Sequence, residues 1–226
     1  MNRPLATRAV IGLAKLLLVM AALLFVPAWT LAWWQAWLFL LAFGATVTWI
    51  TLYFLRRDPA LIERRLKAGP GAEQQVSQKI VQAVAAVVFL AIVAFPGFDH
   101  RFGWSNLPST VVVAGDGLVV LGLLAVFFVF RENSFTSATI EVDTRQGVVS
   151  TGPYALVRHP MYSGALVLLA GLPPALGSLW GLLFWFPMVA AMVVRLYGEE
   201  RYLSENLAGY DAYKAKTRWR LCPGVY

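Results

Sequence analysis

The stretch GPYALVRHPMYSG, residues 152–164, stands where a polar loop meets an apolar run. Arg158 carries a positive charge, the ring of His159 can donate and accept hydrogen bonds, and Tyr162 carries a hydroxyl that does both. Pro160 directly follows the histidine and suits the first position of a helix. Side chains of these types at a membrane surface can hold a charged ligand, or they can form an ion-pair collar around the helix that follows.

A second polar segment, RLYGEE, begins at Arg195. On a helix Arg195 and Glu199 share a face, and Glu200 is turned by about 100° from Glu199. Prolines, a glycine and a serine in residues 173–178 predict a turn in the apolar run that precedes this segment. We therefore expect a helical hairpin over residues 162–197, which brings the two polar segments together as a pocket at the membrane–cytosol boundary.

The composition of the 226 residues excludes a soluble globular domain. The chain is 59% hydrophobic and only 14% charged, whereas soluble domains carry about 25% charged residues. Apolar runs that could cross a bilayer occupy residues 9–27, 31–55, 80–95, 110–130, 162–176 and 179–197. Since a spanning helix needs roughly 20 residues, we predict six spans, or five if one short run is only half-inserted.

These spans predict an all-α, polytopic transmembrane helical bundle in two parts. Residues 1–130 would hold four spans and an amphipathic cytoplasmic loop at 56–79. Residues 131–226 would form a catalytic core from a cytoplasmic loop, the hairpin and an amphipathic tail. If the chain crosses the membrane six times, both termini lie on the same side as nearly all of the lysines and arginines, and Arg101 is the only one of these residues on the other side. The positive-inside rule then places both termini in the cytoplasm.

The net charge of +7 follows from this topology and from contact with anionic membrane lipids, so we predict no nucleic-acid partner. The single cysteine, Cys222, excludes an internal disulfide and a thiolate metal cluster, and we predict no metal site. Lys15 and Asp116 are polar groups within the spans, and a transporter would depend on them. The oligomeric state stays open, as does the choice between a bacterial inner membrane and the endoplasmic reticulum.

Several motifs of the C-terminal half occur together. They are an N-x-F at 133–135, VVSTGPYALVRHPMYSG at 148–164, R-x-x-x-EE at 195–200, G-Y-x-x-Y at 209–213 and an R-x-x-P close at 220–223. This combination resembles the isoprenylcysteine carboxyl methyltransferase family, whose C-terminal core the phospholipid N-methyltransferases share. The resemblance implies a membrane methyltransferase that binds S-adenosylmethionine from the cytosol and receives a lipophilic acceptor from the bilayer.

The resemblance also implies roles for individual residues. The implied cofactor contacts are Glu141, Gln146, Val148, Val149, Tyr154, His159, Pro160, Met161, Tyr162 and Glu200. The implied catalytic residues are Arg195, which would hold an acceptor carboxylate, and Glu199. The spacing between the arginine and the glutamates is one residue longer than in the family, so the roles of Glu199 and Glu200 can be exchanged.

Three reactions follow from these resemblances. The first, which the sequence favours, is O-methylation of a carboxylate of the isoprenylcysteine type, and the alternative is N-methylation of a phospholipid or another small lipid. The third is a reduction by a reduced nicotinamide dinucleotide, because a sterol-reductase-like membrane family also carries R-H-P-x-Y before a hairpin. Eukaryotic carboxyl methyltransferases have a histidine where this chain has Ser137, so an acceptor other than a prenylated protein stays open.

Overall fold

A computed structural model describes residues 3–66, 76–136 and 147–226. The helices are α1 (Arg3–Ala28), α2 (Trp34–Arg57), α3 (Pro59–Leu66), α4 (Val76–Phe102), α5 (Ser109–Glu132), α6 (Pro160–Ala175), α7 (Trp185–Asn206) and α8 (Tyr210–Lys216). Two short 3-10 helices, Gly152–Ala155 and Trp180–Phe184, precede α6 and α7. Within the described residues no strand occurs, and the predicted all-α bundle is confirmed.

Among the residues that the structure describes, five helices are long and apolar enough to cross a membrane. They are Pro4–Ala28, Trp34–Arg57, Val76–Phe102, Ser109–Glu132 and Trp180–Asn206. The fifth apolar run of the sequence forms α6, whose 16 residues extend about 24 Å at 1.5 Å per residue. This helix is shorter than a full span of roughly 20 residues.

The turn after α6 nevertheless reaches the far end of α4. Asp99 is buried near that end and accepts hydrogen bonds from the backbone N–H and the hydroxyl of Ser105, both at 2.7 Å. It also accepts the hydroxyl of Ser178 from the turn, while the Leu179 N–H donates to Ser105 Oγ at 3.0 Å. The hairpin therefore extends as deep as its neighbours, which fits six crossings with one short helix.

The position of this turn differs from the sequence prediction. Pro173 and Pro174 lie inside the last turn of α6, and the chain reverses at Gly177, whose φ of 74° favours glycine. The Leu176 N–H still bonds to the carbonyls of both prolines. A proline lacks the N–H that would bond to the carbonyl four residues earlier, so these two prolines leave only the carbonyls of residues 169 and 170 without their helical donors, in the last turns of α6.

Two glycines on each helix let α5 and α6 pack backbone to backbone. Gly115 and Gly122 on α5, and Gly164 and Gly171 on α6, are each seven residues apart. A Cβ on Gly122 would lie 2.5 Å from the carbonyl oxygen of Gly164, and one on Gly171 would lie 2.7 Å from that of Gly115. This contact places the start of α6 beside the end of α5.

The predicted amphipathic loop at 56–79 contains α3, while residues 67–75 lie outside the described residues. Asp58 caps α3 by accepting the Leu61 N–H on Oδ1 at 3.1 Å. Leu61 is fully buried in the main hydrophobic core. The helix thus docks at the end of the bundle where α2 and α5 end and α6 begins, which we name the basic end.

Candidate functional site

The two polar segments meet at the basic end. Helix α7 continues to Asn206, so its polar residues belong to one rigid helix beside the first turn of α6. Tyr162 Oη donates to Glu199 Oε2 at 2.6 Å, and His159 Nε2 lies 3.3 Å from Glu200 Oε1. The hairpin therefore brings together the residues that the sequence placed across a short gap.

Glu200 forms the centre of a buried ion-pair cluster. Arg158 Nε is 2.6 Å from Glu200 Oε1, and Arg220 Nε is 3.1 Å from Oε2. The side chains of Arg158 and Glu200 are only 6% and 7% exposed, and His159 is also buried. Charge-assisted hydrogen bonds of this length are among the strongest in proteins. This cluster is the ion-pair collar that the sequence left as an alternative use of these residues.

The C-terminal strap, which we define as residues 217–221, closes over this cluster. Arg158 Nη1 donates to the carbonyls of Thr217 and Arg218 at 2.9 and 2.8 Å. The backbone N–H groups of Arg158 and His159 donate to the carbonyls of residues 219–220, both at 2.9 Å. Since these donors belong to Arg158 and His159, and Ser163 Oγ in the first turn of α6 also donates to the carbonyl of Leu221 at 2.6 Å, the strap fixes the start of α6 and the residues that precede it.

A cavity lies in front of the cluster at the basic end. Eight of the residues implied by the resemblance line it, namely Val148, Val149, Tyr154, His159, Pro160, Met161, Tyr162 and Glu199. The sequence prediction did not include its other main lining residues, Asn133, Phe135, Thr136, Leu203, Leu207, Tyr210 and Tyr213. Four of these residues belong to the N-x-F and G-Y-x-x-Y motifs, so the sequence could have indicated them. Nothing in the sequence marked the two leucines.

Two of the implied site residues lie away from the cavity lining, and two fall outside the described residues. Glu200 lies behind the cavity in the ion-pair cluster, and Arg195 stands behind Tyr162, to whose Oη its Nε donates at 3.1 Å. Glu141 and Gln146 lie outside the described residues. The geometry thus separates the two glutamates whose roles the sequence could not distinguish, because only Glu199 lines the cavity.

Tyrosines form one wall of the cavity. Tyr213 Oη donates to the carbonyl of Tyr154 at 2.8 Å, and Asn133 Nδ2 donates to the hydroxyl of Tyr154 at 3.2 Å. Removal from water raises the pKa of Tyr154 well above its ordinary value and that of Tyr213 to about 12, so both hydroxyls stay protonated. Tyr210 Oη is buried and has no hydrogen-bond partner among the described residues.

Glu199 is the carboxylate that the cavity presents to a ligand. Its side chain is 26% exposed, and its Oε2 accepts the Tyr162 hydroxyl and lies 4.0 Å from His159 Nδ1. The ring of His159 stacks on that of Tyr162 with 5.6 Å between centroids. A carboxylate held in one orientation next to aromatic rings can accept a proton or a hydrogen bond from a polar ligand.

The comparisons with known proteins support the resemblance. Residues 110–209, under half of the chain, match the family model described as phospholipid methyltransferase. This match covers α5, the hairpin and the polar part of α7, and so includes most of the cavity wall. It favours a methyltransferase over the sterol-reductase-like alternative. No curated protein matches the chain.

The matched segment and the five apolar helices lead to the same conclusion. This chain is an integral membrane protein, and its residues 110–209 are similar to the phospholipid methyltransferase family, a family of membrane methyltransferases.

Proposed function

We propose that this protein transfers a methyl group from S-adenosylmethionine to the amine of a phospholipid headgroup. The observation that carries the proposal is the position of Glu199, whose carboxylate faces the cavity at the basic end while Tyr162 holds it in place. The basic end lies at the cytosolic surface in this proposal, with both termini in the cytoplasm. Acceptor lipids reach the cavity from the bilayer.

The cavity has the chemistry that S-adenosylmethionine requires. The buried hydroxyl of Tyr210 lines the cavity without a partner among the described residues, and a polar group of the cofactor would satisfy it. The rings of Tyr154 and Tyr213 line the same wall, and aromatic faces attract a sulfonium cation. His159, which Glu200 holds, and backbone groups at Val148 would contact the polar ends of the cofactor.

S-adenosylmethionine would supply a methyl group on a positively charged sulfur. A nucleophile can attack this methyl group, and the sulfur is the leaving group. The residues of the chain orient the acceptor in line and exclude water from the cavity. An ethanolamine headgroup is an ammonium ion at neutral pH, so its nitrogen must lose a proton before its lone pair can attack. Glu199 Oε1 accepts that proton, while the hydrogen bond from Tyr162 to Oε2 keeps the carboxylate facing the acceptor.

A carboxylate acceptor of the isoprenylcysteine type is the second candidate. Arg195 favours it, because this guanidinium stands directly behind Tyr162. An anionic carboxylate needs no base and would be held by an arginine fork. The amine remains the better fit, since Arg195 does not line the cavity and Glu199 does.

The test uses the full chain in nanodiscs. Calorimetry measures the binding of S-adenosylmethionine, S-adenosylhomocysteine and a reduced nicotinamide dinucleotide. Transfer of a tritiated methyl group is then followed with phosphatidylethanolamine and with farnesylcysteine as acceptors. We expect both adenosyl ligands to bind, and we expect label in the phospholipid.

Variants separate binding from proton transfer. Glu199→Gln should lower phospholipid methylation by about 10²-fold or more, while the exposed Glu205→Gln on the same helix serves as the control. Tyr210→Phe should weaken S-adenosylhomocysteine binding about fivefold, the effect of one lost hydrogen bond. Label in farnesylcysteine alone would instead support the carboxylate acceptor, and nucleotide binding without adenosyl binding would refute a methyltransferase.

A further inference from the structure

A second cavity follows the contact between α5 and α6, and we name it the seam groove. Its volume is about 510 Å³, within the roughly 300–1,000 Å³ of ligand sites in proteins. Most of its lining is apolar and includes Leu121, Ala125, Phe128, Leu156, Val167 and Leu221. Leu121 and Phe128 are 57% and 47% exposed, so the groove opens towards the bilayer along α5.

The seam groove is distinct from the cavity that holds Glu199. On α6 the groove is lined by residues 160, 163, 164 and 167, and steps of three and four residues place them on one face of the helix. Met161 and Tyr162 line the other cavity and are turned away from that face. Among the residues that the structure describes, only Pro160 lines both cavities, and Glu199 does not line the groove.

The groove has the length of a lipid chain in a single leaflet. Ten residues of α5 separate Leu121 at its deep end from Arg131 at the basic end, which is about 15 Å at 1.5 Å per residue. This length is half of the hydrocarbon core of a bilayer, which is roughly 30 Å thick. Because water is absent from that core, an acyl chain is the group that can fill the groove at this depth.

Two opposite charges line the polar end of the groove. The exposed Arg131 lies over the ring of Phe128 at 5.5 Å and pairs with no carboxylate in the described part of the chain. Glu132 accepts the hydroxyl of Thr151 on Oε1, which leaves Oε2 for a cation. Gly152, with a φ of 56°, lets the loop lie against this side chain, since a Cβ there would be 2.8 Å from the carboxyl carbon of Glu132.

We infer that the seam groove binds one zwitterionic phospholipid of the leaflet at the basic end. Its acyl chain lies along α5 and α6, its phosphate meets Arg131, and its ammonium group meets Glu132. Consecutive residues of a helix project about 100° apart, so one headgroup can reach both. A phospholipid without the ammonium group would bring a second negative charge to Glu132, which is unfavourable. This lipid is bound in addition to the acceptor, whose amine would meet Glu199.

The bound lipid would hold the structure around the ion-pair cluster. Ser163 Oγ donates to the carbonyl of Leu221 at 2.6 Å, and both residues line the groove. Val157 and Pro160, which flank Arg158 and His159 in the sequence, line it too. A chain in the groove therefore packs against the strap and the start of α6 together. Since the folded state alone has this groove, we expect bound lipid to stabilise it.

The experiment measures lipid retention by native mass spectrometry of the full chain in detergent. The probes are phosphatidylcholine, which carries a phosphate and an ammonium group, and phosphatidylglycerol, which has the phosphate and a neutral glycerol; both have palmitoyl and oleoyl chains. Val167→Phe fills the groove, and Val87→Phe at a 66% exposed position of α4 is its control. Arg131→Met and Glu132→Gln remove the charges, and the exposed Arg57→Met on α2 is their control.

We expect the wild type to retain phosphatidylcholine more tightly than phosphatidylglycerol. Val167→Phe should weaken the binding of both lipids by about 10-fold, the effect of two methylene groups kept out of the groove. Arg131→Met should weaken both by about fivefold, as for one basic residue at a lipid phosphate. Glu132→Gln should abolish the preference for phosphatidylcholine, and both control variants should bind like the wild type. Added phosphatidylcholine should raise the Tm of the wild type more than that of Val167→Phe.

Three results would overturn the inference. Equal phosphatidylcholine binding by Val167→Phe and Val87→Phe would exclude the chain from the groove. A preference for phosphatidylglycerol, or a preference for phosphatidylcholine that survives Glu132→Gln, would refute the assignment of the headgroup. The charge variants lie at the end of α5, outside the hydrophobic core, and therefore decide the matter even if Val167→Phe does not fold. Failure of the proposed function looks different, because phosphatidylcholine would still be retained while no phospholipid became methylated.

Discussion

Glu200→Gln keeps the shape of the side chain and removes the negative charge from the centre of the buried cluster. Arg158 then keeps its hydrogen bonds to the strap but loses the carboxylate 2.6 Å from its Nε. His159 and Arg220 lose the same partner at 3.3 and 3.1 Å. The variant therefore leaves a cation buried without its counter-charge.

The expected loss of stability follows from the exposure of the partners. Removing one member of a buried ion pair costs about 3–5 kcal/mol, because the remaining charge stays out of water. Arg158, at 6% exposed, cannot turn to solvent, whereas Arg220, at 30%, can. Since glutamine still offers one oxygen as an acceptor, we expect a loss near the lower end, about 3 kcal/mol.

The assay is equilibrium unfolding of the purified protein in detergent at neutral pH. The exposed Glu205→Gln on the same helix makes the same chemical change and should alter the free energy of unfolding by less than about 0.5 kcal/mol. If Glu200→Gln unfolds with the same free energy as this control, the cluster does not hold the site together. The reasoning from burial and pairing would then be refuted.

Three further variants test other parts of the fold. Gly122→Ala places a Cβ 2.5 Å from a carbonyl of α6 and should cost about 1–3 kcal/mol in the same unfolding assay, whereas Gly117→Ala, with open space around it, should not. Ser178→Ala removes one of the hydrogen bonds to the buried Asp99 and should cost about 1 kcal/mol; an unchanged stability would exclude a role for that bond in the hairpin turn. Folding raises the pKa of Tyr213 from 10.0 to about 12, so its contribution to stability is complete below pH 10 and decreases as the pH rises towards 12. Unfolding measured across this range should show that decrease in the wild type and a smaller one in Tyr213→Phe.

Much of the fold was accessible from the sequence. Hydropathy located all of the long helices, although α4 is longer than its apolar run at 80–95. The run at 162–176 forms the 16-residue α6, whose glycines pack closely against those of α5. The prolines at 173 and 174 were assigned to the turn instead of the helix end. Sequence patterns mark where proline occurs, but the hydrogen bonds of its neighbours decide on which side of a helix boundary it lies.

The candidate site was predictable in part. The motifs located the residues of one cavity wall, and helical geometry brought Tyr162 to Glu199. The places of Arg195 and Glu200 were not predictable, since both depend on which neighbours pack against α7. The contacts of Arg64 with Phe135 and of Arg65 with Met161 gave no signal either, because an amphipathic basic helix at a membrane looks the same in sequence whether or not it also packs against such residues.

The sequence by itself determined that this protein is a helical membrane protein. The long apolar runs and the basic segments between them specify a helical membrane bundle, since the bilayer acts directly on composition and charge. Only the tertiary structure decided which polar residues line the cavity and which form the buried ion-pair cluster. One residue along α7 is a rotation of about 100°, and this step turns Glu199 into the cavity and Glu200 into the buried cluster. The strap then closes over this cluster through contacts between segments that are far apart in the chain, which no local pattern encodes.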